Sequence, residues 1–335
     1  MNYADTAHAI RQHRDLGNAK HVYRELVGYA TLAASSHNTQ PWRFRLEPGR
    51  ISILPDFTRR CPAVDPDDHH LYASLGCATE NLLLAAQAAG LQGRVSYDAS
   101  ESSVKIDLTE ASAFRSPLFE AIHQRQCNRA EYDGTALSAA EVRLLEDVGK
   151  GDGVSLLLLT DPKQKEDIAE YVARGNTVQF VDRAWLNELK TWIRFSAREA
   201  VHTGDGLYGP VMGSPSVPRW LGEVFMRIAF SARKQNEKDR RNIRSSAAVA
   251  VFVSDADDKP HWIEAGRCYE RLALQATALG LCTAFINQPV EVAALRPEFA
   301  AFLGLGSRRP DLVVRIGRGL QMPLSLRRPI DEVVI

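Results

Sequence analysis

The chain holds 335 residues, of which 45% are apolar and 24% charged, a profile that excludes a disordered chain and leaves room for two domain-sized units. Its 41 basic residues offset 41 acidic ones, so no overall field draws in nucleic acid or an anionic membrane surface. The longest apolar runs, around Ala247–Val253 and Leu156–Leu159, are too short to span a bilayer. The first twenty residues carry Asp5, His8, Arg11, His13, Arg14 and Asp15 where a secretion signal would carry an apolar core. Five scattered cysteines, Cys61, Cys77, Cys127, Cys268 and Cys282, never fall at CxxC spacing. That argues against a disulfide framework or a cysteine zinc site and for a reducing compartment, hence a cytoplasmic protein.

Apolar residues at helical spacing predict a helix over Tyr23–Ala34, followed by the polar stretch Ser35–Gln40 and Pro41. Trp42, Phe44, Ile51 and Ile53 then alternate as strands do. A loop from Asp56 to Asp68 leads into an Ala/Leu-rich helix over Leu71–Gly90, and short strands near Val95–Tyr97 and Val104–Leu108 close a first half at about residue 115. The pattern then restarts. Leu118–Gln126 reads as a helix, Ser138 and Glu141 form a capping-box signature, and Val154–Leu159 is a buried strand. Asp161 and Pro162 start a helical region reaching about Val201. Gly204–Pro218, with four glycines and three prolines, is an irregular excursion. Strands at Ala247–Val253, Ala284–Asn287 and Leu312–Ile316 alternate with helices at Trp262–Gly280 and Val292–Leu303. The expected fold class is therefore a mixture of α and β, in two parts, 1–115 and 116–335.

The helices Gly76–Leu91 and Gly266–Leu281 repeat one another. Gly76/Gly266, Glu80/Glu270, Leu82/Leu272, Leu84/Leu274, Ala86/Ala276, Ala88/Ala278, Gly90/Gly280 and Leu91/Leu281 coincide at a single offset of 190, eight identities in sixteen positions. Two alanine- and leucine-rich helices yield some matches by chance, but the shared Gly–Glu start and Gly–Leu end point to internal duplication. A duplicated chain reproduces within itself the two-fold contact that other proteins make between subunits.

The stretch Ser35-Ser36-His37-Asn38-Thr39-Gln40-Pro41-Trp42 places hydroxyls, amides and free backbone groups in one turn between a helix and a strand. Such a turn suits a planar polar ligand, with Pro41 fixing the exit and Trp42 supplying apolar surface beneath. Ala34–Trp42 resembles the flavin-binding turn of the nitroreductase family, usually Pro-Ser-Ser-x-Asn-x-Gln-Pro-Trp, with Ala34 at the proline position. The resemblance implies an α+β nitroreductase-like fold built as a two-fold pair, with FMN at the interface and Ser35, Ser36, Asn38 and Gln40 against the flavin. Arg125-Gln126-Cys127-Asn128-Arg129 is similar to the family's Arg-x-Ser-x-Arg/Lys element on the facing half, Cys127 replacing serine. Its arginines suit a phosphate or the electron-rich edge of reduced flavin. Phe285-Ile286-Asn287-Gln288 stands where the family places the backbone facing flavin N5, so the resemblance implies contacts from Ile286 and Asn287. Pro323–Pro329 resembles the closing segment, which implies that Arg327 and Arg328 complete the phosphate site.

The loop Asp56–Pro66, the run Ser74-Leu75-Gly76 and the long insertion Trp185–Pro218 are similar to the double-length Acg-like branch, in which two nitroreductase-like halves share one chain. That implies a monomer acting as an intrachain pseudo-dimer. The second half offers only Gly149-Lys150-Gly151-Asp152-Gly153 at the corresponding junction, so one FMN per chain is expected. The implied activity is hydride transfer from NAD(P)H through the flavin to a small electron-poor acceptor, a nitroaromatic or quinone. The alternative is a flavin-storage protein whose lid is Gly204–Pro218. Since the flavin does the chemistry, no side chain is required as a catalyst, and His37 is the one candidate proton donor. His69 and His70 read as a helix-start pair, with no metal expected, and Glu80 and Glu270 as structural carboxylates.

Overall fold

The computed structural model describes residues 2–17 and 21–335. In chain order the strands are β1 (Trp42–Glu47), β2 (Arg50–Pro55), β3 (Leu91–Asp98), β4 (Ser103–Glu110), β5 (Val154–Leu159), β6 (Ile193–Arg194), β7 (Leu207–Tyr208), β8 (Ala248–Ser254), β9 (Cys282–Phe285) and β10 (Arg309–Gly317). The helices are α1 (Tyr3–Ile10), α2 (Val22–Ala30), α3 (His69–Ala88), α4 (Pro117–Ala121), α5 (Ala139–Val148), α6 (Pro162–Val181), α7 (Arg183–Trp192), α8 (Ala197–Thr203), α9 (Arg219–Ala229), α10 (Ala232–Arg244), α11 (Lys259–Ala278), α12 (Gln288–Glu291) and α13 (Arg296–Phe302). Helix and sheet are mixed, as expected, and no helix is long and apolar enough to cross a membrane.

Two four-stranded sheets carry the chain, in the orders β1-β2-β4-β3 and β5-β8-β10-β9. Both are antiparallel throughout, and both place their strands first–second–fourth–third, with a 20-residue helix between the second and third. These two helices, α3 and α11, pack together at the centre of the main core. A Cβ on Gly76 would lie 1.9 Å from the Ile263 carbonyl oxygen, and one on Gly266 would lie 1.9 Å from that of Ala73. Because 263 is 73 plus 190 and 266 is 76 plus 190, each helix presents the same two positions to the other. Backbone meets backbone there, which only glycine permits.

Local signals set the element ends. Ser138 and Glu141 make the full capping box of α5, and Asp161 caps α6 through the amides of Lys163 and Gln164. The start of α3 is capped from farther back, since the Asp65 carboxylate accepts the amides of His70 and Leu71, both at 2.9 Å. Elsewhere tertiary pairing overrides periodicity. The helix expected over Leu118–Gln126 stops at Ala121, because Cys127 and Asn128 pair with Thr283 instead. The region expected to run helical to Val201 breaks at Asp182, which caps α7, and again where β6 pairs with β7. The helix expected over Val292–Leu303 begins only at Arg296. Helices α9 and α10 carried no sequence signal used above, and α10 is almost wholly polar. The chain end also crosses back: Phe44 donates to Val333 and accepts from Ile335, at 2.7 and 2.9 Å. Residues assigned by sequence to the second part thus close the edge of the first sheet.

Alanine at position 266 would gain about 0.5–1 kcal/mol of helix propensity but drive its methyl into a fixed carbonyl, and overpacking of this kind costs about 1–3 kcal/mol. Gly266→Ala and Gly76→Ala should therefore each lower the free energy of urea unfolding, and equal or greater stability in either variant would show that the helices do not need this approach.

Candidate functional site

The turn after α2 is held in an unusual backbone. His37, Asn38 and Gln40 all have positive φ, at 48°, 53° and 54°. Non-glycine residues in that region cost of order 1–3 kcal/mol each and persist only where the surroundings fix them. Those surroundings are specific. Ser35 Oγ accepts the Gln40 amide at 3.1 Å, and the Asn38 and Thr39 amides donate to the carbonyls of Ser35 and Ser36. Trp42 lies wholly buried below.

Much of the predicted set works beneath this turn. Arg125 is buried, lies 2.9 Å from Glu270 Oε1 and donates to the Leu32 carbonyl, while Glu270 Oε2 accepts the Ala34 amide. Arg327 is also buried and spends its guanidinium on the carbonyls of Thr31, Leu32, Ala33 and Leu326 and on Asn38 Oδ1. Asn38 Nδ2 donates to Gly206 and Leu326, and Gln40 Nε2 donates to Gly204 while its Oε1 accepts the Arg328 amide. The Arg328 side chain turns to Glu332. The phosphate contacts implied for Arg125, Arg327 and Arg328, and the flavin contacts implied for Asn38 and Gln40, therefore meet a different placement. These side chains bond α2, the C-terminal segment and the excursion 204–206 and hold the turn from behind, with Nη1 of Arg125 and of Arg328 left without a hydrogen-bond partner among the described residues. Cys127 and Ile286 sit likewise in backbone pairings, Cys127 with Thr283 and Ile286 with Val313.

In front of the turn opens a cavity of about 300 Å³, at the lower end of the size range of small-molecule sites. Of the predicted residues it gathers Ser35, Ser36, His37, Arg129 and Asn287. Sequence reasoning missed Lys238 on α10, which lines the same cavity and donates to the Met212 carbonyl. Arg129 and Lys238 have no acidic partner among the described residues. Burial lowers the Lys238 ammonium, the Asp239 charge opposes this, and the charges of Arg129 and Arg315 push it down again. Two cations near one another without an ion-pair partner are a receptive place for an anion. A polar helix such as α10 shows no motif, so only the fold brings Lys238 here.

The excursion 204–218 covers one side of the cavity through Leu207, Met212 and Ser214. Its first part is buried and tied to the turn by hydrogen bonds from Asn38 and Gln40, and Asp205 pairs with Arg59 and Arg194. His70, Ser74 and Cys77 of α3 and Glu291 of α12 also line the cavity. Burial raises the Glu291 carboxyl, which accepts Gln179 Nε2 at 2.7 Å. Asp65, His69 and His70 cluster at the start of α3. The Asp65 oxygens are engaged by two amides and by His70 Nδ1 at 3.3 Å, so the geometry is that of a hydrogen-bonded pair. His37 is pushed down to about 4 by burial, with Arg129 and His70 acting in the same direction, so it carries no extra proton at neutral pH and does not suit the donor role expected of it.

His37, and His123 likewise lowered to about 4 by burial, bind their protons more weakly folded than unfolded. Their linkage destabilises the fold as pH falls from about 6.5 towards 4, because the unfolded chain then takes up protons that the folded chain refuses. His37→Asn, which keeps a residue tolerant of positive φ, should flatten that loss in urea unfolding between pH 7 and 4.5. An unchanged slope would show that His37 is not held neutral.

No family model matches the chain. It is 25% identical over 332 residues to a Mycobacterium tuberculosis H37Rv protein carrying the provisional name NAD(P)H nitroreductase Rv3131, covering 93% of this chain and 90% of that one. It is 24% identical over 329 residues to the provisionally named NAD(P)H nitroreductase acg of the same strain, covering 93% and 95%. Among solved structures, a nitroreductase with bound FMN from Bacteroides fragilis aligns at 12% identity and a TM-score of 0.38, over 62% of this chain and 90% of that chain. Along nearly its whole length, then, the chain is similar to proteins named as NAD(P)H nitroreductases, acg among them.

Proposed function

We propose that the chain is an FMN-dependent oxidoreductase that takes reducing equivalents from NAD(P)H and passes them to a small electron-poor acceptor, a quinone or nitroaromatic. The observation that carries this reading is the cavity itself, where the strained Ser35–Gln40 turn shares the lining with Arg129 and Lys238, two cations without an ion-pair partner among the described residues. The names of the full-length relatives support it. FMN fits this donor set: Ser35, Ser36 and the turn offer hydroxyls and amides to a planar ring, and Arg129 and Lys238 offer charge to a phosphate. When bound, the flavin supplies reversible two-electron chemistry as a hydride acceptor and donor.

The chain's own part is placement. Asn287, fixed because its Oδ1 accepts the Val313 amide at 2.8 Å, sets the cavity floor beside Phe285. Phe180, Trp185 and Phe230 form an aromatic wall of the cavity. The shared strand order and the reciprocal glycine contact support reading the chain as two related halves, divided near residue 115 and forming an intrachain pseudo-dimer with one flavin. The buried, tethered start of the excursion 204–218 favours one rival, a storage protein whose cover seldom opens.

Purified protein should show a flavin absorption spectrum that bleaches on anaerobic addition of NADPH or NADH and recovers with a quinone. A flavin indifferent to both nicotinamides would support storage, and a colourless protein that takes up no FMN would sink both readings. Arg129→Ala with Lys238→Ala should weaken FMN binding at least about tenfold per lost charged contact, whereas Arg328→Ala should leave it within about twofold. The reverse pattern would return the phosphate site to the C-terminal segment.

A further inference from the structure

Resting on the oxidoreductase reading above, we propose that His70, steered by Asp65, is the acid that protonates the oxygen of a quinone-type acceptor in this cavity. His70 stands at the first turn of α3 and lines the cavity, and it is 6% exposed. Its Nδ1 lies 3.3 Å from Asp65 Oδ1, and its Nε2 is buried with no hydrogen-bond partner. Asp65 is itself immobilised by the amides of His70 and Leu71, so the ring is oriented by a carboxylate that cannot turn away. A buried ring nitrogen left without a partner, on a residue that lines a cavity, suits a proton donor that meets its acceptor when substrate enters.

The charges around the ring agree. Burial opposes its protonation, but the hydrogen bond and charge of Asp65, reinforced by Glu291, outweigh burial and raise His70 above the ordinary histidine value. Burial likewise opposes ionisation of Asp65, yet its bonds to His70 hold it at about 2. Facing His70 from other elements are Glu291 on α12, Arg296 on α13, Asp311 on β10 and His37 on the turn. His69, with its ring centroid 4.6 Å away and its Nε2 3.0 Å from Asp311 Oδ1, is pushed well below the ordinary histidine value chiefly by burial. At this site the anionic neighbours outweigh burial only for His70, whereas burial prevails for His37 and His69.

The step balances. A quinone becomes a hydroquinone by gaining two electrons and two protons. The electrons and the first hydrogen arrive together as the hydride that the nicotinamide originally supplies. His70 gives the second proton: the Nε2–H bond breaks, an O–H bond forms, and the neutral ring recovers a proton from water.

The test compares wild-type holoenzyme with His70→Gln, reoxidising each after NADPH reduction with para-benzoquinone or with ferricyanide, a one-electron oxidant that needs no proton. The expected variant keeps its FMN and its bleaching by NADPH, loses about a hundredfold or more of its quinone rate and keeps its ferricyanide rate. In the wild type, the quinone rate should fall as pH rises through the folded pKa of His70, above 6.5, while ferricyanide stays flat. Equal losses with both oxidants, or no loss with either, would overturn the proposal. Independently of turnover, an NMR titration of the flavin-free wild-type chain should place the His70 ring above 6.5. A lower value, or one equivalent of zinc that leaves with His70→Gln, would also overturn it. A wild type that binds no FMN would fail the oxidoreductase reading, and the titration would still report on the His70–Asp65 pair.

Discussion

The close crossing of α3 and α11 is the constraint on which the rest of the molecule depends. Gly76 and Gly266 let two 20-residue helices touch backbone to backbone, and every other group of the site is measured from that contact. His70, Ser74 and Cys77 reach the cavity from the first turns of α3. Glu270, one turn beyond Gly266 on α11, reaches the other way to Arg125 and to the Ala34 amide under the strained turn. If the helices moved apart by the width of a methyl group, the turn and the cavity wall would lose their common reference.

The charged groups beneath the turn do different work from the cations in the cavity. Arg125, Arg327 and Glu270 are buried, and a buried ion pair is costly to form yet costlier to break, because removing one partner strands the other. Their value is geometric. By satisfying the carbonyls left open at the end of α2, Arg327 fixes the chain as it enters the three positive-φ residues. Arg129 and Lys238 form no ion pair among the described residues and line the cavity instead. A protein that spends its buried arginines on carbonyls and leaves an arginine and a lysine on a cavity wall separates structure from recognition.

The sheets, the two long helices and the turn were legible in the sequence because each rests on short-range signals: alternation in β1 and β2, the apolar repeat of α3 and α11, and the dense polar run before Pro41. Of the cavity residues, Ser35, Ser36, Arg129 and Asn287 were legible through resemblance, and His37 as a histidine in the same loop. What could not be read depends on distant pairing. Cys127 and Asn128 leave the helical path to bond Thr283, and Ile193–Arg194 leaves it to pair with Leu207–Tyr208. Lys238 sits on a helix without an apolar stripe, and His70 looked like half of a surface pair until burial and Asp65 were known. The same limit explains the arginines. Motif order along the chain cannot tell a guanidinium that faces a ligand from one turned inward to cap a helix.

The two junctions also explain why the halves, read as a pair, would differ in function. After α2, the polypeptide turns through Ser35–Gln40 and opposes a cavity. After α5, the Gly149–Gly153 junction is filled from α11: Arg271 donates to the carbonyls of Val148 and Lys150 at 3.0 and 2.9 Å, and a Cβ on Gly151 would lie 2.1 Å from Glu264 Oε1. Arg271 and Arg267 also pair with Glu80, at the position 190 residues before Glu270. The equivalent carboxylates are thus partnered in opposite senses. Glu270 braces a turn that opens onto the cavity, whereas Glu80 binds the arginine that closes the other junction. Duplication would supply two frames of the same shape, and the choice of which carboxylate meets Arg271 and which meets Arg125 decides where a ligand enters.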